Sequence, residues 1–225
     1  MGQIILSQMY HFWMTMGVCF IITPPPIVYE AVDLGLPSGT KWAAQNVGAR
    51  KPSDYGLYFQ WGDTSGYTAD QVGISEGQKK FEFNWSDYKW GKYQNFTKYT
   101  TTGAKLELED DAAHVHMGGD WHMPTPEQIK ELINTANTTT AWTTSDGVSG
   151  VTFTSKSDAS KSIFIPAAGY AEQGEIKMNT YCIRTWSSML DTSSSEYGKC
   201  LDVWGSSVLN YYQRYCGYSV RGVIG

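Results

Sequence analysis

From Val32 onward, the chain consists of short apolar runs separated by glycine, serine, threonine, aspartate and asparagine. This punctuation is typical of many short strands joined by turns and loops. The strand patterns do not alternate with long helical patterns, which argues against a parallel, doubly wound sheet. The pattern therefore predicts an α+β domain with few helices and long loops.

The clearest helix signal lies near the middle of the chain. Thr125 is a suitable N-cap, Pro126 occupies the first helical position, and Gln128 completes a capping box. Apolar residues then recur at spacings of three and four, namely Ile129, Leu132, Ile133 and Ala136. We expect this face to be buried. A second, shorter helix is predicted over residues 110–115, where acidic residues lie at the positive end of the helix dipole.

Three segments have the pattern of strands. Residues 151–154 and 162–166 predict a strand pair joined by a polar turn. Residues 218–223 alternate between apolar and polar side chains, which predicts a closing strand near the C-terminus.

The first 26 residues differ from the rest. Residues 11–23 (HFWMTMGVCFIIT) are mostly apolar and are followed by three prolines, and this run is too short to span a bilayer. No Lys or Arg precedes it and no clear cleavage site follows, yet a secretory signal remains one alternative, with a docking segment as the other. We expect residues 1–26 to be an apolar segment with a proline linker, and residues 27–225 to form one domain.

Composition and charge narrow the functional classes. The chain has 225 residues, 14% of them aromatic, which is enough apolar area to build a core and argues against disorder. The net charge is −5, so the chain lacks the basic field that holds a phosphate backbone. We therefore expect no nucleic-acid partner.

Common catalytic and metal-binding motifs are missing from the sequence. It contains no phosphate-binding loop, dinucleotide fingerprint, nucleophile elbow or C-x-x-C pair, and we interpret the four cysteines as buried or free thiols. Residues of metal-ligand type do cluster in one stretch, namely Glu109, Asp110, His114, His116, Asp120 and His122. Their spacing matches no defined site, so helix capping and polar packing are the favoured interpretation. We expect neither a metal nor a cofactor.

The most informative segment is residues 181–216. It carries seven aromatic residues, many serines, three of the four cysteines and no proline. Tyrosine and serine together are typical of recognition surfaces, because tyrosine gives rigid contact area and serine gives adaptable hydrogen bonds. The adjacent Tyr211 and Tyr212 cannot both face the interior of a strand. An ordinary aromatic-rich sheet edge is the alternative.

Several motifs, in order, carry a resemblance to a known family. They are VDLGLPSGTKWA (residues 32–43), NVGA (46–49), YFQWG (58–62), DAA (111–113), GGDWHMPT (118–125), WSS (186–188) and GYSVR (217–221). From about Val32 to the C-terminus, the chain resembles the Fibrobacter succinogenes major paralogous domain family. That family is similar to the formylglycine-generating-enzyme branch of the C-type lectin fold. The resemblance implies a C-type lectin-like domain with two helices beside a small, twisted antiparallel sheet.

The resemblance also implies a role for residues 181–216. Members of this branch are variable proteins of diversity-generating retroelements, in which adenine-directed mutagenesis rewrites asparagine codons. The candidate ligand-binding residues in this variable region are Tyr181, Arg184, Asp191, Ser194, Tyr197, Cys200, Asp202, Trp204, Tyr211, Tyr212, Tyr215 and Cys216. Among the charged residues we expect Arg184, Asp191, Asp202 and Arg214 to set specificity.

The implied function is ligand recognition. The expected partner is a protein or glycan receptor on a bacterial surface, and the expected location is a phage tail or a bacterial cell surface. One alternative is an oxidase that uses Cys200 or Cys216, although these lie sixteen residues apart and do not match the close cysteine pair of the oxidase relatives. A second alternative is a structural adhesin module whose apolar N-terminus docks into a larger assembly.

Overall fold

The fold is that of a computed structural model, which describes residues 24–75, 78–79 and 81–225. The described residues form two α-helices, two short 3-10 helices and fifteen short strands. The α-helices are α1 (Ala112–Met117) and α2 (Pro126–Ile133), and the 3-10 helices are Ala69–Gln71 and Leu108–Asp110. The first strands are β1 (Ala31–Asp33), β2 (Lys41–Ala43), β3 (Ile74–Ser75), β4 (Gln78–Lys79), β5 (Gly91–Lys92) and β6 (Asn95–Phe96). The later strands are β7 (Thr138–Ser145), β8 (Val148–Ser155), β9 (Ser162–Pro166), β10 (Tyr170–Glu172), β11 (Glu175–Lys177), β12 (Ile183–Leu190), β13 (Tyr197–Trp204), β14 (Ser206–Gln213) and β15 (Val223–Ile224).

The strands make small antiparallel sheets. Three sheets have three strands each, in the orders β1-β2-β15, β7-β8-β9 and β12-β13-β14, and three two-stranded ribbons complete the set. Strand β15 pairs with β2, so the end of the chain returns beside its first strands. The prediction of an α+β chain with few helices and long loops is confirmed.

Helix α2 forms where its capping signals predict. The Thr125 hydroxyl accepts a hydrogen bond from the Gln128 backbone N–H, and the Gln128 side chain accepts one from the Thr125 N–H. Ile129 and Leu132 are buried, as expected, and Ile133 is partly buried. Ala136 is a correction: the helix ends at Ile133, and Ala136 is exposed in the following turn.

The other predicted elements have mixed outcomes. Helix α1 is shifted two residues from the predicted 110–115, because Asp111 rather than Asp110 caps it by accepting from the His114 N–H. The strand pair β8–β9 is confirmed, with Val151 opposite Ile165. The alternating closing strand is wrong. Residues 218–223 are buried throughout, so no solvent face exists to keep the alternation, and only Val223 belongs to a strand.

Two apolar cores flank the β12–β13–β14 sheet. One core joins Ile129 and Leu132 of α2 to Val151, Phe153, Ile163 and Ile165 of the β7–β8–β9 sheet and to Ile183, Leu201 and Val203. The other core lies on the opposite side of the sheet and contains Trp61, Trp186, Cys200 and Tyr218. Because both sides of the sheet are packed, β12 and β13 form a rigid support for the side chains that β14 displays.

The apolar run of residues 11–23 lies outside the described residues, and prolines 24–26 are exposed. None of the helices that the structure describes is long and apolar enough to cross a membrane.

Candidate ligand-binding surface

The candidate variable region folds mainly into the β12–β13–β14 sheet. Strands β13 and β14 form a tight hairpin, in which Trp204 lies opposite Ser206 and Gly205 has a φ of +83° at the turn. Successive side chains in a strand point to opposite faces, so the sheet presents two different surfaces. We call them the Arg184 face and the Tyr211 face.

The Arg184 face is open toward the edge strand β14. Its residues on β13 and β14 are Gly198, Cys200, Asp202, Trp204, Ser206, Val208, Asn210 and Tyr212. Exposure rises toward the hairpin turn and the sheet edge, where Trp204 is 65% exposed and Val208 is 40% exposed. Tyr181, just before β12, is also exposed. Large exposed side chains therefore collect at the hairpin end of the sheet.

Arg184 is the centre of a polar network on this face. Its guanidinium carbon lies 4.2 Å from the ring centroid of Tyr170 and 3.7 Å from that of Tyr212. Its Nε lies 3.5 Å from Asp202 Oδ1, an ion-pair distance without a hydrogen bond, and its Nη1 lies 3.4 Å from the Tyr218 hydroxyl. The two flanking rings and the carboxylate fix this cation in place.

Asp202 is held from its other side. Its Oδ2 accepts hydrogen bonds from the Tyr212 hydroxyl at 2.6 Å and from Asn210 Nδ2 at 3.0 Å. Burial raises the pKa of Tyr212, and the hydrogen bond to Asp202 raises it further, so the phenol keeps its proton. Charged hydrogen bonds of this kind are short and directional, which makes the network a preorganised part of the surface.

The Tyr211 face divides into an open half and a buried half. Tyr211 is 49% exposed, and its ring centroid lies 5.5 Å from that of the partly buried Tyr197. Leu201 and Val203, on the same face, are buried in the core shared with α2. The expectation that Tyr211 and Tyr212 do not both face the interior is thus met, because they lie on opposite faces of β14.

The twelve predicted binding residues do not form one surface. Tyr181, Trp204 and Tyr211 are exposed, and Ser194, Tyr197 and Tyr212 are partly buried. The other six are buried, namely Arg184, Asp191, Cys200, Asp202, Tyr215 and Cys216. Arg184 and Asp202 still border the open face through Tyr212.

The remaining four buried residues are corrections to the predicted site. The Asp191 carboxylate accepts from the backbone N–H and the hydroxyl of Ser193, so it shapes the loop after β12. Tyr215 is buried with its hydroxyl 3.1 Å from Glu172 Oε1, and Cys200 and Cys216 are core residues.

Arg214 is a further correction, since its side chain is fully buried. Its Nη1 donates to the Tyr99 carbonyl at 2.9 Å, and its guanidinium carbon lies 3.7 Å from the Phe96 ring centroid. This arginine joins the hairpin to the loop before α1 and is not available to an incoming ligand.

Three cysteines lie within the described residues, and all three are buried free thiols. Burial raises the pKa of Cys182 to about 11 and raises those of Cys200 and Cys216 further. A reactive cysteine needs an exposed, low-pKa thiolate, so this environment disfavours thiol chemistry at these positions. Cys19 lies outside the described residues.

The predicted metal-ligand residues are used in other ways. Asp110 accepts from Lys98 Nζ at 2.6 Å and from the Tyr99 hydroxyl at 2.7 Å. Burial raises the pKa of Asp110, but the bonds from Lys98 and Tyr99 outweigh it and lower the pKa overall. Each imidazole makes a ring-nitrogen contact to a backbone carbonyl, His114 to Trp121 and His116 to Thr64 among them. Within the described part of the chain, no three His, Cys, Asp or Glu side chains are grouped so as to hold a metal.

Sequence reasoning missed three residues of the Arg184 face. Val208 and Asn210 precede Tyr212 at spacings of two, so strand alternation from Tyr212 would have found them. Tyr170 comes from β10, outside the aromatic-rich segment, and only the fold brings it to Arg184.

Comparisons of the chain with protein-family models, with curated proteins and with solved structures found no match.

Proposed function

We propose that this chain is a ligand-binding protein that recognises a glycan or protein receptor on a bacterial surface through the Arg184 face. The observation that carries the proposal is the exposure of Trp204 and Val208 beside the held Arg184–Asp202 pair, with the exposed Tyr181 at the same end of the sheet. Binding energy at recognition surfaces is concentrated in a few aromatic and arginine residues, surrounded by contacts that contribute little. The exposed aromatic residues act as anchors, and the Arg184–Asp202 pair supplies donors and acceptors for specificity.

The packing beneath this face favours a recognition surface whose exposed side chains can be substituted. Within the hairpin, Gly198 and Cys200 pack against the core that contains Trp61 and Trp186. Trp204, Ser206 and Val208 instead project into solvent. Side chains that project from a rigid frame change with little loss of stability. This division is what a diversified binding region requires.

The finer fold and family assignments belong to the same proposal. The motifs of residues 32–221, two helices, and a small antiparallel sheet at the candidate surface agree with a C-type lectin-like variable protein of a diversity-generating retroelement. On this proposal the protein acts in phage adsorption or in bacterial adhesion. An imperfect copy of the DNA for residues 181–216, differing at adenines and adjacent to a reverse transcriptase gene, would support the diversification.

The binding proposal is tested with single alanine substitutions and a matched control. The labelled chain is applied to an array of bacterial surface glycans and to intact bacterial cells. Trp204→Ala and Tyr181→Ala should each weaken binding at least about tenfold, the loss of one anchor worth about 1.4 kcal/mol or more. Tyr93→Ala is the control, because Tyr93 is 51% exposed against 52% for Tyr181 but lies in the turn after β5, with its ring against Trp85.

Two outcomes would contradict the proposal. One is unchanged binding in both Trp204→Ala and Tyr181→Ala, with melting temperatures like that of the unaltered chain. The other is an equal loss in Tyr93→Ala, which would mean that exposed aromatic area alone, rather than the Arg184 face, causes the binding.

A further inference from the structure

Strand β7 is an edge strand with both faces open beyond its first residue. It has eight residues, and those from Thr139 to Thr144 are all exposed. Among the residues that the structure describes, β7 pairs with β8 alone, and it lies at the edge of the order β7-β8-β9. The edge of such a strand presents unpaired N–H and C=O groups, which are a template for another strand.

The hairpin geometry identifies which backbone groups are free. Asp146 and Gly147 form a two-residue turn with φ values of +50° and +79°, and Ser145 lies opposite Val148. The residues that flank such a turn form a hydrogen-bonded pair, and hydrogen-bonded and non-bonded pairs then alternate along the ladder. The N–H and C=O groups that point away from β8 are therefore those of Thr138, Thr140, Trp142 and Thr144. The Thr138 N–H donates to the Asn134 carbonyl at 3.1 Å, so the free N–H groups are those of Thr140, Trp142 and Thr144.

The strand carries none of the features that normally protect an edge. Its sequence, TTTAWTTS, has no charged residue and no proline, and all eight residues pair in continuous register with β8, without a bulge. Asp146, the charge nearest to it in the chain, is already engaged by Lys51 Nζ at 2.9 Å and by Ser53 Oγ at 2.8 Å.

Trp142 shows that the core side of the sheet is also incomplete at this edge. It lies opposite Val151, on the face that carries the buried Phe153 and Ile165, yet it is 41% exposed. The layer that covers the inner strands thus does not cover β7 beyond Thr138. A strand added beside β7 would bring side chains against this indole and reduce its exposure.

We propose that β7 pairs with β7 of a second copy of this chain, antiparallel and centred on Ala141. A two-fold axis perpendicular to the sheet keeps core-side residues on the core side, so residues opposite each other must have the same parity. Centring on Ala141 places Thr139 opposite Thr143 of the partner subunit, and Thr140 opposite Trp142 of the partner subunit. The free N–H groups of Thr140, Trp142 and Thr144 then find carbonyl partners.

Self-pairing fits the chemistry of the strand better than a charged partner does. Threonine–threonine and aromatic–β-branched pairs stabilise neighbouring strands, and every pair in this register is of such a type except the central pair of Ala141 residues, which is also neutral. A charged partner strand would find no counter-charge on β7. The result is a six-stranded sheet through the dimer and two Arg184 faces on one particle, so that binding to a receptor array becomes bivalent.

The test uses charge pairs placed by the register. Molar mass is measured by sedimentation equilibrium of the full chain across micromolar concentrations. The unaltered chain should be a dimer. T139K combined with T143K puts like charges opposite each other and should give a monomer, whereas T139E combined with T143K puts opposite charges there and should keep the dimer. Both positions are exposed, so the fold should survive each change.

A backbone variant gives an independent check. Thr140→Pro removes an outward N–H that β8 does not use, so it should break the dimer while the circular dichroism spectrum stays unchanged. The proposal is overturned if the unaltered chain is monomeric throughout, or if it is a dimer whose mass T139K/T143K and Thr140→Pro both leave unchanged. Equal masses for the like-charge and opposite-charge variants would overturn the register.

Discussion

The guanidinium carbon of Arg184 lies 3.7 Å from the ring centroid of Tyr212, and the hydroxyl of the same tyrosine donates to Asp202 at 2.6 Å. Tyr212 therefore stacks on the cation and satisfies its counter-ion at once. Its neighbour Tyr211 lies on the other face of β14, and its ring contacts only that of Tyr197 among the described aromatic side chains. Two adjacent tyrosines in the candidate variable region thus differ in role, one structural and one displayed.

The difference predicts unequal effects of removing the two hydroxyls. Tyr212→Phe should lower the free energy of unfolding by about 1–2 kcal/mol, because a partly buried hydrogen bond to a charged acceptor is lost. Tyr211→Phe should change it by less than about 0.5 kcal/mol, as expected for an exposed side chain. Urea unfolding at neutral pH measures both, and equal losses would contradict the separation of roles.

Sequence signals from neighbouring residues predicted the elements whose position depends mainly on neighbouring residues. The capping box of Thr125 and Gln128 fixes the start of α2, and it uses only residues within one turn. The helix end was misplaced because Ala136 continues the apolar spacing, whereas the chain leaves the helix at Asn134, whose carboxamide oxygen accepts from the Ala136 N–H. Strands β8 and β9 were found because each is rich in β-branched and aromatic residues and flanks a polar turn.

The candidate site was predicted only in part, because composition does not give the face on which a side chain lies. Tyrosine and cysteine in residues 181–216 suggested one surface, but Cys200 and Tyr215 pack inward and Trp204 projects outward. Register and chain direction decide this, and they depend on contacts with distant residues such as Trp61. Tyr170 shows the same limit, since nothing in its neighbourhood points to Arg184.

Neighbouring positions of the hairpin should differ in how well they tolerate substitution, because successive side chains lie on opposite faces of the sheet. Gly198 and Lys199 test this expectation. A Cβ at Gly198 would lie 2.7 Å from Trp61 Cδ1 and 3.0 Å from Trp186 Cζ3, so Gly198→Ala must displace a buried indole. Overpacking of this kind costs about 1–3 kcal/mol. Lys199→Ala, on the open half of the Tyr211 face, should cost less than about 0.5 kcal/mol. Thermal unfolding distinguishes them, and a Gly198→Ala variant as stable as the unaltered chain would exclude a rigid support under the hairpin.

The buried thiols and phenols make stability depend on alkaline pH. Burial raises the pKa of Cys182 to about 11 and that of Tyr99 to about 12, while in an unfolded chain cysteine titrates near pH 8.5 and tyrosine near pH 10. Above pH 8.5 the unfolded chain loses protons that the folded chain keeps, so the free energy of unfolding falls as pH rises. Arg221 acts in the opposite direction, because burial lowers its pKa to about 9, but it is one group against several thiols and phenols.

The expected result is a free energy of unfolding that decreases steadily between about pH 8 and 10, measured by urea titration at each pH. Each buried acid contributes up to about 1.4 kcal/mol per unit by which its pKa is raised. Cys200→Ala removes one fully buried thiol, whose pKa burial raises well above its ordinary value, and should make the decline shallower relative to the variant's own stability at neutral pH. A free energy of unfolding that stays level over this range, or an unchanged slope in Cys200→Ala, would show that these groups reach solvent in the folded chain.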